Sequence, residues 1–330
     1  MSHKLSYEYY ADLGFPETFP VSTLRSIAHI FGTSKNRCGI YLLEFLDGIF
    51  YIGQAVDVVR RFGQHRQKYE NIIGFSFLPT SRKSLDEVER LLICKAEKLK
   101  LTILNIVHAT NFVGDADLDL VITREQQEQW NQSHSKCTNN HEPDFTITLP
   151  ESQHLRFAEN FQRYLEHPLH LNALGLLRTY IGNCIPYPKR TEYSFWAVSC
   201  MPSTNRNTSP RLACVNAGVM EIFVLGHVKN KPNDLWGFIN VASDVLDEAC
   251  LENDALKASY PLLDIYRSGY RDAGQNQMTL STNDIYTLRR LLHDKIIIKA
   301  AATLALRVMR KRATIYSKYH CKQLADLVLQ

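Results

Sequence analysis

Apolar side chains gather in two short runs, Gly39-Ile40-Tyr41-Leu42-Leu43 and Ile49-Phe50-Tyr51-Ile52-Gly53, divided by Asp47-Gly48. Runs of this kind read as strands, and Asp-Gly between them reads as a hairpin turn. Loop length decides which way the tyrosines point. A two-residue loop pairs Leu46 with Ile49 and sends Tyr41 and Tyr51 to opposite faces. A three-residue loop, Leu46-Asp47-Gly48, pairs Phe45 with Ile49 and Tyr51 with Leu43, so that both tyrosines share a face. Gly48 suits the left-handed position that closes the longer loop. If the tyrosines act together, the longer loop is the one expected.

Beyond the hairpin the apolar period lengthens. Val58, Phe62 and Tyr69 form one stripe of a helix capped by Asp57. Arg61 and His65, four apart, line one edge of that stripe, while Arg60 points away. Ser84-Leu85-Asp86-Glu87 is a capping-box pattern opening a second helix. On it Leu85, Val88, Leu91, Leu92, Ile93, Ala96 and Leu99 form a broad apolar arc, and Glu89 falls inside. A carboxylate there must be paired, for instance with Arg61, or hold a cation. Residues 38–107 thus predict an α+β module, a small antiparallel sheet flanked by helices, preceded by an extension over 1–37 with a helix near 22–31.

Residues 108–150 turn polar and read as a linker region. His134, Cys137 and His141 within it would make a metal trio lacking a fourth ligand. Residues 151–330 predict a second, mixed α/β domain. It opens with helix over 153–180, continues with β-type runs at 193–199, 212–217, 220–225 and 236–242, and ends in helices. The first of these starts near 283 with Thr282 or Asn283 as its cap. Tyr180-Ile181-Gly182 with Arg190 repeats the spacing of Tyr51-Ile52-Gly53 and Arg61, but Pro186 and Pro188 would break the helix such a match needs.

Composition narrows the class. The 45% hydrophobic and 22% charged content is that of a globular protein. No apolar run approaches the roughly 18 residues that span a bilayer, so no membrane partner is expected. Eight cysteines are scattered singly, which together with an N-terminus lacking a secretory pattern leads us to expect reduced thiols and a cytoplasmic protein. The net charge of +4 is uneven, since residues 283–330 hold ten Lys/Arg against three Asp. That asymmetry fits a polyanion-binding face.

Taken together, Gly39-Ile40-Tyr41, Tyr51-Ile52-Gly53, Arg61, His65, Glu89 and Asn105 resemble the catalytic set of the GIY-YIG endonuclease family. The resemblance covers residues 38–107, about a fifth of the chain, and is least close after Glu89. It implies a DNA endonuclease working with one Mg²⁺ or Mn²⁺ ion. Tyr41 would be the general base or orient the water, and Tyr51 would assist at the nucleophile or phosphate. Arg61 would stabilise transition-state charge, His65 would orient a tyrosine or the water, Glu89 would ligate the metal and Asn105 would complete the site. A single ion agrees with the carboxylates available. Asp47 lies in a turn, Asp57 and Glu87 cap helices and Glu44 faces away, which leaves Glu89. A tyrosine with a pKa near 10 is a poor base at neutral pH, and Arg61 and the metal are expected to lower it.

The second domain would then choose the DNA target. Arg60 and Arg66 in the module, and Arg310, Lys311 and Arg312 near the C-terminus with Tyr316 and Tyr319 among the cations, are candidate nucleic-acid contacts. A restriction or phage-defence role ranks first, with homing and repair roles open. The alternative is a non-catalytic nucleic-acid-binding protein that keeps the fold. One site per chain implies a homodimer or successive nicking for a double-strand break.

Overall fold

The computed structural model describes residues 10–32, 36–133, 147, 149–249 and 253–330. Two compact units divide after Gly114, and each has its own antiparallel sheet. No helix among the described residues is long and apolar enough to cross a membrane.

The first unit builds a four-stranded sheet from β1 (Thr18–Pro20), β2 (Gly39–Phe45), β3 (Phe50–Ala55) and β4 (Ile72–Pro79), ordered β1-β4-β2-β3. The helices α1 (Val58–Lys68) and α2 (Leu85–Lys98) follow β3 and β4. The near-continuous apolar run of β2 reflects cover on both faces. Tyr41, Leu43 and Phe45 pack with Val58 and Phe62 of α1, whereas Ile40 and Leu42 pack with Leu92, Ile93 and Ala96 of α2. The hairpin takes the three-residue loop: Leu43 is the register partner of Tyr51, and Phe45 N–H donates to Ile49 O at 2.9 Å. Gly48 sits at φ 76°, the left-handed position the loop requires.

Several expectations are corrected here. Within the stretch expected as an N-terminal extension, Thr18–Pro20 pairs with β4 at the sheet edge. The helix near 22–31 shrinks to Ala28–Phe31. Asp57 caps α1, accepting from the Val59 and Arg60 amides, but the capping box at Ser84 does not form. A 3₁₀ turn over Arg82–Ser84 runs straight into α2, and Ser84 Oγ is bonded to Ser81 Oγ instead. Leu91, assigned to the apolar arc, is 55% exposed.

The second unit begins inside the expected linker. A 3₁₀ turn at Asp117–Leu120 and helix α3 (Arg124–Ser133) are ordered parts of it, anchored by buried Leu118, Ile122 and Trp130. Three apolar anchors among polar neighbours are too sparse to show a helical period, which is why the stretch reads as loop. His134, Cys137 and His141 lie outside the described residues. Helices α4 (Ala158–Leu165) and α5 (His170–Cys184) precede a six-stranded sheet made of β5 (Trp196–Cys200), β6 (Arg211–Ala217), β7 (Met220–Val228), β8 (Lys231–Ala242), β9 (Asp264–Tyr266) and β10 (Gln277–Thr282), ordered β5-β6-β7-β8-β10-β9. Tyr180 of α5 is buried and stacks on Phe223 at 4.5 Å, so the second Tyr-Ile-Gly is core.

The helix expected from near 283 is two helices, Ile285–Leu291 and α6 (Lys295–Lys311), each with its own aspartate cap, Asp284 and Asp294. The chain closes with α7 (Lys322–Leu329).

Candidate active site

One glycine lets the tyrosines come together, and a second lets the strand of Tyr41 approach β4. A Cβ on Gly53 would lie 2.5 Å from Tyr41 Cζ and Oη and 2.7 Å from Tyr51 Cε1. Both rings therefore cross the space a side chain would take. A Cβ on Gly39 would meet Leu78 O at 2.2 Å, so β2 and β4 approach too closely there for any other residue. With that room, the Tyr41 and Tyr51 ring centroids sit 6.1 Å apart, and His65 from α1 lies 5.6 and 5.0 Å from them. Tyr41 Oη is 2.7 Å from His65 Nε2, and Arg61 Nε donates to the same hydroxyl at 3.4 Å. The four side chains assigned from the sequence to α1 and the hairpin thus converge on one spot.

Burial sets their protonation. It pushes the Tyr41 phenol well above its ordinary value, Tyr51 adding to the shift and Arg61 opposing it. Tyr51 is raised by burial first and then by the charge on Glu89, again against Arg61. Desolvation outweighs the arginine because Arg61 is itself exposed and its field is screened by water. The expectation that this cation lowers the phenol pKa is therefore not met by Arg61 alone. His65 is lowered to about 4 by burial, with Arg61 and Lys68 contributing. Its imidazole is neutral at pH 7, a hydrogen-bond partner of the Tyr41 hydroxyl whose basicity burial weakens.

Glu89 is half-buried on α2, where it accepts from Gln54 Nε2 at 2.8 Å. Gln54 follows Gly53, so this bond ties the acid to the tyrosine strand. Among the described residues Asp86, Glu89 and buried His108 offer ligand atoms that all lie within 4.8 Å of one another, a group able to hold a metal ion. His108 Nε2 is 3.4 Å from Asp86 Oδ1, and His108 has φ 66°, an unusual backbone state for a residue with a side chain. Asp86 and His108 were missed. The i, i+3 spacing of Asp86 and Glu89 was a usable signal, but Asp86 fell outside the apolar arc and His108 fell one residue past the expected boundary at 107.

Asn105 does not face the phenols with a free amide. Its Oδ1 accepts from Ile52 N–H at 3.0 Å and its Nδ2 donates to Ile52 O at 2.6 Å, so it clasps the peptide beside Tyr51. The basic residues also separate. Arg60 is exposed. Arg66, however, is bonded to the backbone carbonyls of Val21, Glu70 and Ile72. Arg310 pairs with Asp119 at 3.0 Å, Lys311 is 5% exposed and bonded to Asp272 O, and Arg312 pairs with Asp272 at 3.0 Å. These four are each engaged with groups of their own unit, whereas among the described residues Arg60 is not bonded through its side chain in this way.

Comparisons with protein-family models, with curated proteins and with solved structures return no match to this chain. What it does must be read from its own residues.

Proposed function

We propose that this chain is an endonuclease that hydrolyses DNA phosphodiesters with one divalent cation, in the manner the GIY-YIG resemblance implies. The observation that carries this reading is the 2.7 Å contact of Tyr41 Oη with a neutral His65, with Arg61, Tyr51 and Glu89 around the same spot. A proton acceptor, a guanidinium for phosphate charge and a carboxylate for a cation are the parts such a hydrolysis needs.

The proton path follows from the protonation states. Tyr41 starts as a phenol, so it can take a proton from the attacking water only as it passes its own to His65 Nε2, a weak base in the ligand-free site that the negative charge of a bound phosphodiester would have to raise. The water oxygen bonds to phosphorus, the bond from phosphorus to the leaving sugar oxygen breaks, and His65 ends as the imidazolium. Arg61 meets the charge growing on the non-bridging oxygens. Asp86, Glu89 and His108 would hold the cation, which when bound would neutralise phosphate charge and favour the phenolate. An imidazole among the ligands fits Mn²⁺ better than Mg²⁺, which prefers oxygen donors throughout.

The test is cleavage of supercoiled plasmid with Mg²⁺, with Mn²⁺ and with chelator. Wild type should nick or cut. Arg61→Ala and Glu89→Gln should each lose about a hundredfold or more. Wild-type inertness on several DNAs with either ion would turn the reading towards a binding protein that keeps the fold, an alternative favoured by Tyr41 being only 1% exposed.

A further inference from the structure

The second unit contains a cleft of about 870 Å³ that the hydrolytic chemistry does not use. Small-molecule sites span roughly 300–1,000 Å³, so this one has room for a ligand of several hundred daltons. Ser199 of β5 and Cys214 of β6, partners in the sheet register, lie on its wall.

Charge and shape both restrict the occupant. Arg163, Arg206 and Arg211 line the cleft, and Glu221 is the one acidic residue among the lining groups. Glu221 is already ion-paired with Arg211 and accepts from Tyr270 Oη at 3.1 Å. The cleft is thus left with a positive balance, and an anion is favoured. Arg211 has a side chain 9% exposed, and its Nε is buried with no hydrogen-bond partner among the described residues. Phe157, Tyr316 and Tyr319 supply aromatic surface in the same cleft. Arginines match phosphate geometry, while tyrosine faces match flat rings.

We propose that this cleft binds a nucleotide unit, with its phosphate on the arginines and its base against Tyr316 and Tyr319. Free nucleotides and an unpaired nucleotide of a strand share that chemistry. The site lies wholly within the second unit and does not depend on the hydrolytic reading.

The full chain carrying Glu89→Gln, which prevents turnover, is titrated at low salt with dAMP, with a fluorescein-labelled single-stranded oligodeoxyadenylate and with inorganic phosphate. Binding of dAMP or of the strand is expected, with inorganic phosphate weaker. Arg206→Ala and Tyr319→Ala, both exposed positions whose melting should match the parent, are each expected to weaken binding about tenfold. A strand tighter than dAMP identifies a nucleic-acid site, and the reverse identifies a free-nucleotide site. The proposal is overturned if neither ligand binds at about 1 mM, if phosphate binds as tightly as dAMP, or if the two variants bind like the parent. Failure of plasmid cleavage would leave this result intact, because the binding assay requires no hydrolysis.

Discussion

Gly53 and His65 shape the tyrosine cluster of the first unit by opposite means, one by lacking a side chain and the other by burying one. Gly53→Ala would drive a methyl into both phenol rings at 2.5–2.7 Å. It is expected to destabilise the unit by about 1–3 kcal/mol and to abolish cleavage, as melting and plasmid assays would show. His65 carries a sign that can be worked out. Its folded pKa of about 4 lies below the ordinary 6.5, so the unfolded chain takes up a proton first as pH falls. The fold should therefore lose stability as pH drops from about 6.5 towards 4, and level off below. Thermal melts followed by circular dichroism across that range are expected to show the slope, and His65→Gln should flatten it. An unchanged slope in the variant would remove His65 from the account.

The hairpin, α1 and the β3 edge show how legible the elements are from sequence. Strand alternation and a glycine that can take positive φ selected the loop only together with the premise that the two tyrosines act as a pair, while Asp57 was enough to start α1. Those signals are local. Asn105 entered the site set through the resemblance alone, and its bonds to the Ile52 backbone, 53 positions away, are a relation no periodicity reports. The same blindness hid β10, whose buried Gln277 and Thr279 bond to Asn240 across the sheet and so lack an apolar signature. Asp86 and His108 escaped because a ligand group is a relation between a helix and a loop, and each residue alone is ordinary. Asn105→Ala would strand both polar groups of Ile52. A loss of about 1–3 kcal/mol is expected, with cleavage falling alongside, and chemical denaturation would measure it.

At the scale of the whole molecule the two units can be observed separately. Trp130, Trp196 and Trp236 are the chain's three tryptophans, and all lie after Gly114, where the second unit begins. Tryptophan fluorescence therefore follows the second unit, while circular dichroism follows both. Adding Mn²⁺ is expected to raise the thermal transition seen by circular dichroism and missed by tryptophan emission, since a cation that binds only the folded state stabilises it. Mg²⁺ should have a smaller effect, and Asp86→Asn with Glu89→Gln should remove both. A cation response in the tryptophan signal instead would move the metal site to the other unit.

The strip of chain at 102–105 zips onto the outermost strand of the first sheet, with Phe50 N–H donating to Thr102 O and Leu104 N–H to Phe50 O, both at 2.8 Å. A nascent or clipped chain ending before this strip would carry both phenols beside a raw β edge. Such an edge recruits other copies, so translation past residue 105 separates a covered strand from a seed for aggregation.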